Sequence, residues 1–170
     1  MFPSPQPVVP SLQARVHPDE WQARLELAAC YRVFALLGWT EMIYNHITLR
    51  LPDSVTGGKK HFLINPFGLH YSEVTASNLL KIDVQGNKLD DSPWNANPAG
   101  FTVHSAIHEH IAQAHCVMHT HTTAGLAVAC TATLSPRLNA SSWATRSRAR
   151  SPAVTTSLRY SASLGGLVLA

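Results

Sequence analysis

The chain has 170 residues, of which 45% are hydrophobic and 14% are charged, so it is long enough for one folded domain and too apolar for a disordered chain. Its net charge of +3 is uneven: residues 1–132 carry a net charge of −2, and residues 133–170 carry +5. The larger part therefore has no basic footprint for nucleic acid. Three separated cysteines and the lack of an apolar run of ~18 residues argue against a disulfide framework and a membrane span, and we expect a cytoplasmic protein.

The first third of the chain predicts an extended leader, then a helix. Residues 1–16 are interrupted by four prolines and read as a Pro-rich extended segment. In "HPDEWQARLELAACYRVFALLGW", Pro18 suits the first turn of a helix and Gly38 suits its end. Apolar residues recur at every fourth position and predict one buried face, with Ala28 and Leu36 beside it: Leu25, Ala29, Val33 and Leu37.

Alternating patterns then predict strands. "IYNHITLRL" places Asn45, Ile47 and Leu49 on one side and His46, Thr48 and Arg50 on the other. Glycines at positions 57 and 58 turn the chain into a second strand, "HFLINP". A loop, a short helix capped by Thr75 or Ser77 and a strand in "LKIDVQGNKLDD" follow.

The second half predicts a helix over residues 101–114, a strand in "HCVMHT" and a small-residue helix in "TTAGLAVACT". An early helix, a hairpin and later alternating elements indicate an α/β or α+β domain.

Two histidines at the end of the predicted strand are candidate metal ligands. Side chains two residues apart on a strand point to the same face, which places Val117, His119 and His121 together. Their α-carbons would lie ~6.6 Å apart, close enough for two imidazoles to bind one ion through N–metal bonds of ~2.0–2.1 Å. Paired strand histidines also occur without metal, and catalytic zinc normally has three protein ligands. The spacing alone leaves both readings open.

A longer stretch carries a family resemblance. "NPAGFTVHSAIHEHIAQAHCVMHTHTTAGLAVA" resembles the core of the class II aldolase/adducin family, in which a helix with "HSAIH" precedes a strand ending in "HTHT". "LAACYRVFALLGWTEMIYNHITLRLP" and "HFLINPFGLHYSEVTASNLLKIDVQGN" resemble the preceding elements, so the similarity runs over residues 17–132. It implies a three-layer α/β/α domain with a largely antiparallel central sheet. Residues 133–170 fall outside it, which leaves the domain incomplete at the C-terminus, and we expect this Arg/Ser/Ala-rich tail to be disordered.

The resemblance also implies a function. Enzymes of the family use a divalent metal, usually zinc, held by three histidines, to cleave or form a carbon–carbon bond in a small hydroxy-carbonyl compound. The ion polarises oxygen atoms and stabilises an enediolate. By this matching His119 and His121 are metal ligands, and Asn45 and Gly68 fall at substrate-pocket positions, although either could be purely structural. Homo-oligomers are common in the family. The alternative is a non-catalytic adducin-like protein that associates with the actin cytoskeleton.

Three departures predict that any lyase activity is impaired or lost. Gly100 stands where the family's aldolases have their acidic catalyst, so no catalytic residue is assigned. Pro98 and Ala99 replace a phosphate-binding serine pair, and no histidine follows His121 to serve as the third ligand. The abrupt change in composition near Thr133 suggests a shifted reading frame or an aberrant splice; the alternative is a genuine, divergent tail.

Overall fold

The computed structural model describes residues 10–40, 45–120, 122–123, 158–161 and 166–169. Four helical elements occur in these ranges: α1 (Pro18–Leu36), α2 (Asp53–Thr56), a 3-10 helix (Tyr71–Glu73) and α3 (Pro98–His110). Six strands accompany them: β1 (His46–Arg50), β2 (Phe62–Ile64), β3 (Leu80–Ile82), β4 (Cys116–Thr120), β5 (Leu158–Ser161) and β6 (Gly166–Leu169).

The strands form one sheet in the order β3-β2-β1-β4-β6-β5, and every neighbouring pair is antiparallel. β1 lies inside the sheet, between β2 and β4. Thr48 of β1 is opposite Ile64 of β2 and also opposite Val117 of β4. The predicted hairpin and the predicted antiparallel sheet are both confirmed.

The two faces of the sheet are covered by different helices. Ile47 of β1 and Leu63 of β2 are fully buried in a cluster with residues of α1. The neighbouring strand residues point the other way: Phe62 and Ile64 pack in a cluster with Phe101 of α3. This alternation along the strands produces three layers, with α1 and α3 on opposite faces, and confirms the predicted α/β/α architecture.

The first helix has the predicted limits but buries a different face. Pro18 occupies its first turn, the His17 ring accepts a hydrogen bond from the Asp19 amide at 3.2 Å, and Gly38 follows its end with φ of +71°. The prediction of a buried Leu25–Leu37 face is wrong, although Ala28 is buried as expected. The residues that face the core are Glu20, Ala23, Arg24, Leu27, Ala28, Tyr31 and Phe34.

The reason lies in contacts that helix periodicity cannot reveal. Both faces of α1 repeat apolar residues at helical spacing, so the period alone does not choose between them. The buried face carries the aromatic ring of Tyr31 and the Glu20–Arg24 ion pair, whose nitrogen and oxygen lie 2.9 Å apart. Arg24 also donates to the carbonyl of Leu79 at 2.7 Å, a partner far along the chain.

Smaller differences concern the ends of helices. The helical turn near residue 75 occupies Tyr71–Glu73 and is capped by His70, while Thr75 begins only a single hydrogen-bonded turn. The helix predicted over 101–114 is Pro98–His110, because a proline favours the first turn of a helix. The predicted helix in "TTAGLAVACT" lies largely outside the described residues.

Strands β5 and β6 belong to the segment after Thr133. Met118 of β4 is opposite Leu169 of β6, so this segment supplies a neighbour to the strand that carries His119. The division of the chain into residues 1–16, 17–132 and 133–170 stays a prediction.

Candidate functional site: a buried histidine cluster

Two histidines face each other where β1 meets β4. His46 is directly opposite His119 in the antiparallel register. Their ring centres lie 5.2 Å apart with the ring planes nearly perpendicular, at 86°. Both side chains are buried. His119 lies on the same face of β4 as Val117, as the strand period predicted, while Cys116 and Met118 pack on the opposite, α1 side.

Helix α3 adds two more imidazoles. His104 and His108 are one helical turn apart and both are 1% exposed. The His104 ring centre lies 4.2 Å from that of His46. The His108 ring stacks on Phe62 at 4.3 Å. We call His46, His104, His108 and His119 the histidine cluster.

Hydrogen bonds within the cluster determine which ring nitrogens carry a proton. His108 Nδ1 lies 2.8 Å from the Ala114 carbonyl oxygen, which only accepts, so Nδ1 carries the hydrogen and Nε2 of the neutral ring is an acceptor. The Thr48 hydroxyl, 2.8 Å from His108 Nε2, therefore donates to it. Thr48 Oγ1 in turn lies 2.8 Å from His104 Nδ1 and accepts a hydrogen bond from it.

This series of hydrogen bonds ends at Nε2 of His104, which has an unprotonated lone pair. Because Nδ1 of the neutral His104 ring donates, its Nε2 has no hydrogen and can only accept a hydrogen bond or bind a cation. That nitrogen is buried and has no hydrogen-bond partner within the part of the chain that the structure describes.

Burial keeps the His104 and His108 rings neutral. It lowers the pKa of His104 well below its ordinary value, and the nearby His46, His108 and His119 lower it further. Burial also lowers the pKa of His108 to about 4; Arg50 and His115 contribute in the same direction, and the hydrogen bond to Ala114 opposes them. Neutral imidazole is the form that binds metal ions.

The predicted ligand pair is described only in part, because His121 lies outside the described residues. The chemistry of the donors fits a divalent ion of the zinc type, which prefers imidazole nitrogen, and the lone pair of His104 Nε2 is such a donor. However, across the described ranges no group of three His, Cys, Asp or Glu residues is arranged to hold an ion.

The predicted substrate-pocket residues have local contacts of their own. Asn45 is buried immediately before β1, and its Nδ2 donates to the Trp39 carbonyl at 3.5 Å. Its Oδ1 is buried and has no hydrogen-bond partner within the described ranges. Gly68 has φ of +94°, which a side chain would disfavour, so the turn itself explains this glycine. Their roles toward a substrate stay predictions.

The departures from the aldolase pattern fall on α3. Pro98, Ala99 and Gly100 form its first turn, and Gly100 lies one turn before His104. This turn therefore offers neither an acid nor a hydroxyl to a ligand.

Sequence reasoning missed His46 and the bridging role of Thr48. Their alternation within "HITLR" was visible and placed both on one face of β1. What could not be read from the sequence was that β4 and α3 both contact that face. The pairing of β1 with β4 and the docking of α3 bring the four rings together.

Comparisons with known proteins agree with this architecture. The family model described as the class II aldolase and adducin N-terminal domain matches residues 25–160. The chain therefore belongs to the class II aldolase/adducin family. The match extends beyond residue 132, the end of the predicted domain.

Individual relatives fall on both branches of the family. A candidate class 2 aldolase of Pseudomonas aeruginosa is 54% identical over 119 residues, which are 70% of this chain and 44% of that protein. Alpha-adducin of Rattus norvegicus is 52% identical over 107 residues, 62% of this chain and 14% of the adducin. The solved structure of L-fuculose 1-phosphate aldolase from Glaciozyma antarctica matches with a TM-score of 0.58 and 30% identity, covering 74% of this chain and 48% of the enzyme. The chain thus spans less than half the length of these proteins.

In the described ranges, no helix has the length and apolar character required to cross a membrane.

Proposed function

We propose that this chain is a divalent-metal-binding domain of the class II aldolase type, whose carbon–carbon lyase activity is impaired. The observation that supports this most is the histidine cluster, in which the buried His46 ring lies 5.2 Å from that of His119 and burial lowers the pKa of the neighbouring His104. Family membership and similarity to L-fuculose 1-phosphate aldolase add support. We further propose a homo-oligomer in the cytoplasm that acts on a small hydroxy-carbonyl compound if it is active.

In this proposal His119 and His121 bind the ion, which is Zn²⁺. When bound, the ion would polarise substrate oxygen atoms and stabilise negative charge on them. The chain's own residues orient the donors: Ala114, His108 and Thr48 hold His104 with its Nε2 lone pair unprotonated. Burial disfavours the charged forms of His104 and His108 and so favours the neutral form that binds metal.

The proposed impairment follows from the residue at position 100. Gly100 stands where the family's aldolases have their acidic catalyst, and a glycine cannot move a proton. Removing a positioned acid or base typically costs 10²–10⁴-fold in rate. The chain therefore has the donors for an ion but lacks the group that would use it for proton transfer.

Zinc content of the purified chain tests the proposal. We expect close to one zinc per chain, lost in His119→Ala and retained in His110→Ala, since His110 is exposed on α3. L-fuculose 1-phosphate is a suitable probe substrate, and we expect cleavage at least ~100-fold slower than that by a complete aldolase. A chain without bound zinc would overturn the metal proposal, and rapid cleavage would overturn the proposed impairment.

A second candidate function is that of a non-catalytic, adducin-like domain with a cytoskeletal partner. The glycine at position 100 and the 52% identity to alpha-adducin favour it. Co-sedimentation with actin filaments and with spectrin discriminates between the two candidates. Binding by a zinc-free chain supports the adducin-like role, whereas bound zinc without sedimentation argues against it.

A further inference from the structure

A pocket of about 520 Å³ opens on the α1 side of the sheet, beside the edge strand β3. Volumes of ~300–1,000 Å³ are typical of binding sites for small molecules. No member of the histidine cluster lines this pocket, so it is a separate site, and we call it the β3 pocket. Its walls come mainly from residues 10–17, the first turns of α1, residues 77–81 and residues 89–93.

Hydrogen bonds hold the walls of the β3 pocket in place. The Leu12 amide donates to Ser77 Oγ at 3.2 Å, which ties the N-terminal wall to the turn before β3. The Leu89 amide donates to the Lys81 carbonyl at 2.8 Å, which joins the opposite wall to β3 itself. The pocket is therefore formed before a ligand arrives, and binding loses little conformational entropy.

Four charged side chains form the floor of the pocket and neutralise one another. Lys81 Nζ lies 2.8 Å from one carboxylate oxygen of Glu20, and the other oxygen contacts Arg24 at 2.9 Å. Arg24 in turn lies 3.4 Å from Asp90. Positive and negative groups thus alternate at contact distance, and their formal charges sum to zero. A ligand therefore meets no net charge from the floor.

Groups of both signs remain available to a ligand. Arg15 and Asp91 line the pocket and are exposed, and within the described ranges neither of them forms an ion pair. Lys81 donates only one of its three ammonium hydrogens, to Glu20. A ligand with a single charge can use only part of this set, whereas a ligand with both charges can pair with a cation and with a carboxylate.

The walls also offer apolar contacts. Leu79 closes the inner end and is 1% exposed, while Leu89 at the mouth is 42% exposed. Leu12, Val16 and Val55 also line the pocket. Covering these side chains with an apolar group removes hydrocarbon surface from water on both partners. The ligand that this lining favours therefore has an apolar part as well as two opposite charges.

We propose that the β3 pocket binds an α-amino acid with an apolar side chain. The carboxylate pairs with Arg15 and Lys81, and the ammonium group pairs with Asp91. The two charges of an α-amino acid are close together, which suits a pocket whose own opposite charges alternate at 2.8–3.4 Å. Because ion pairs with exposed side chains are weak, we expect a dissociation constant on the order of 1 mM.

Titration with L-phenylalanine, followed by the amide NMR signals of the whole chain, tests the proposal. We expect saturable shifts at Ser77, Leu79 and Lys81, which line the pocket. Two analogues each lack one charge: 3-phenylpropanoate has no ammonium group, and phenethylamine has no carboxylate. Each should bind at least ~3-fold more weakly than L-phenylalanine, because one ion pair is lost.

Substitutions identify the group that each charge contacts. Arg15→Gln should weaken L-phenylalanine binding roughly threefold and leave phenethylamine binding unchanged, because phenethylamine has no carboxylate to lose a partner. Asp91→Asn should weaken L-phenylalanine binding by a similar factor and leave 3-phenylpropanoate binding unchanged.

The apolar wall has its own variant and a matched control. Leu89→Arg should raise the dissociation constant at least ~10-fold, because it replaces an apolar contact with a charge. Val33→Arg changes an apolar residue of α1 that is 51% exposed and does not line the pocket, so the constant should not change.

Three results would overturn the proposal: no saturable shift up to ~10 mM L-phenylalanine, an analogue that binds as tightly as L-phenylalanine, or full affinity in Leu89→Arg. Circular dichroism on every variant confirms the fold. Zinc content is measured in parallel and should not change in any variant, since no proposed ligand of the ion lines the pocket. The inference is thus independent of the proposed metal function, and each can fail without the other.

Discussion

The hydroxyl of Tyr31 on α1 forms a hydrogen bond with the buried backbone of Ile47 near the start of β1. Its oxygen accepts a hydrogen bond from the Ile47 amide at 2.7 Å and also lies 2.8 Å from Asn65 Oδ1. β1 pairs with β2 only from Thr48 onward, so Ile47 has no β2 residue opposite it in the register. The buried Tyr31 hydroxyl therefore supplies the hydrogen-bond partner that a neighbouring strand would otherwise provide at this end of β1.

Two tyrosines offer a matched test of this contact. Tyr31→Phe should lower the free energy of unfolding by about 1–3 kcal/mol, because the Ile47 amide would remain buried and unpaired. Tyr71 is also buried, lies 4.6 Å from Tyr31 ring to ring, and its hydroxyl has no hydrogen-bond partner within the described ranges. Tyr71→Phe should therefore be neutral or stabilising. Denaturant unfolding of both variants measures the difference; equal losses would contradict the capping role of Tyr31.

Thr48 links the two histidines of α3, and its removal should change their protonation pattern. Thr48→Val keeps the shape but leaves His108 Nε2 and His104 Nδ1 without partners, at a cost of about 1–3 kcal/mol. Ring ¹⁵N shifts in the wild type should report a proton on Nδ1 of both His104 and His108. Thr48→Ser retains the hydroxyl and should preserve those shifts. A His104 ring protonated at Nε2 in the wild type would disprove the derived order of donors.

Stability should fall as the solution becomes acidic, because folded His108 resists protonation. Burial lowers its pKa from 6.5 to about 4, so between these values the unfolded chain binds a proton that the folded chain does not. Its contribution is fully present above pH ~6.5 and is lost as the pH falls toward ~4, at a cost of about 3 kcal/mol. The depressed pKa of His104 adds to the same trend.

A substitution can measure how much of the stability lost at acidic pH is due to His108. Unfolding free energies of His108→Gln should depend less steeply on pH between 4 and 6.5, the folded and ordinary pKa values. His110→Gln changes an exposed residue of the same helix and should retain the wild-type slope. Identical slopes for all three proteins would show that His108 titrates normally in the folded state.

A buried ion network on the α1 side gives a fourth prediction. Glu20 contacts Arg24 at 2.9 Å and Lys81 at 2.8 Å, and its side chain is 4% exposed. Glu20→Gln leaves two cations without their shared anion and should cost about 3 kcal/mol. Glu26→Gln, on the exposed face, should cost about 0.5 kcal/mol or less. Thermal unfolding measures both; a tolerated Glu20→Gln would mean that Asp90 alone neutralises Arg24.

The stabilisation from this ion network should be lost as the pH falls. Burial by itself would raise the pKa of Glu20, but Lys81 and Arg24 hold it below the ordinary value. The contribution is therefore present above the unfolded pKa of about 4.5 and disappears as the pH drops through the lower folded value.

Local sequence patterns predicted the helices and strands well, but they could not predict which distant residues come into contact. The alternation in "HITLR" and "HCVMHT" correctly assigned the faces of β1 and β4, because strand geometry is a property of the segment itself. The buried face of α1 was predicted wrongly, since both of its faces are apolar and the choice depends on remote partners such as Leu79. The histidine cluster shows the same limit: each ring was visible, but its neighbours come from three separate elements.

The register that sets His46 opposite His119 also constrains how the chain acquires its site. β2, β3 and α3 all lie between these two strands in the chain, so a ribosome must synthesise all three before the second ring exists. Closing such a long loop is slow compared with forming the adjacent β1–β2 hairpin. Nascent molecules should thus pass through a stage in which the β1–β2 hairpin is complete and the histidine cluster has not yet formed.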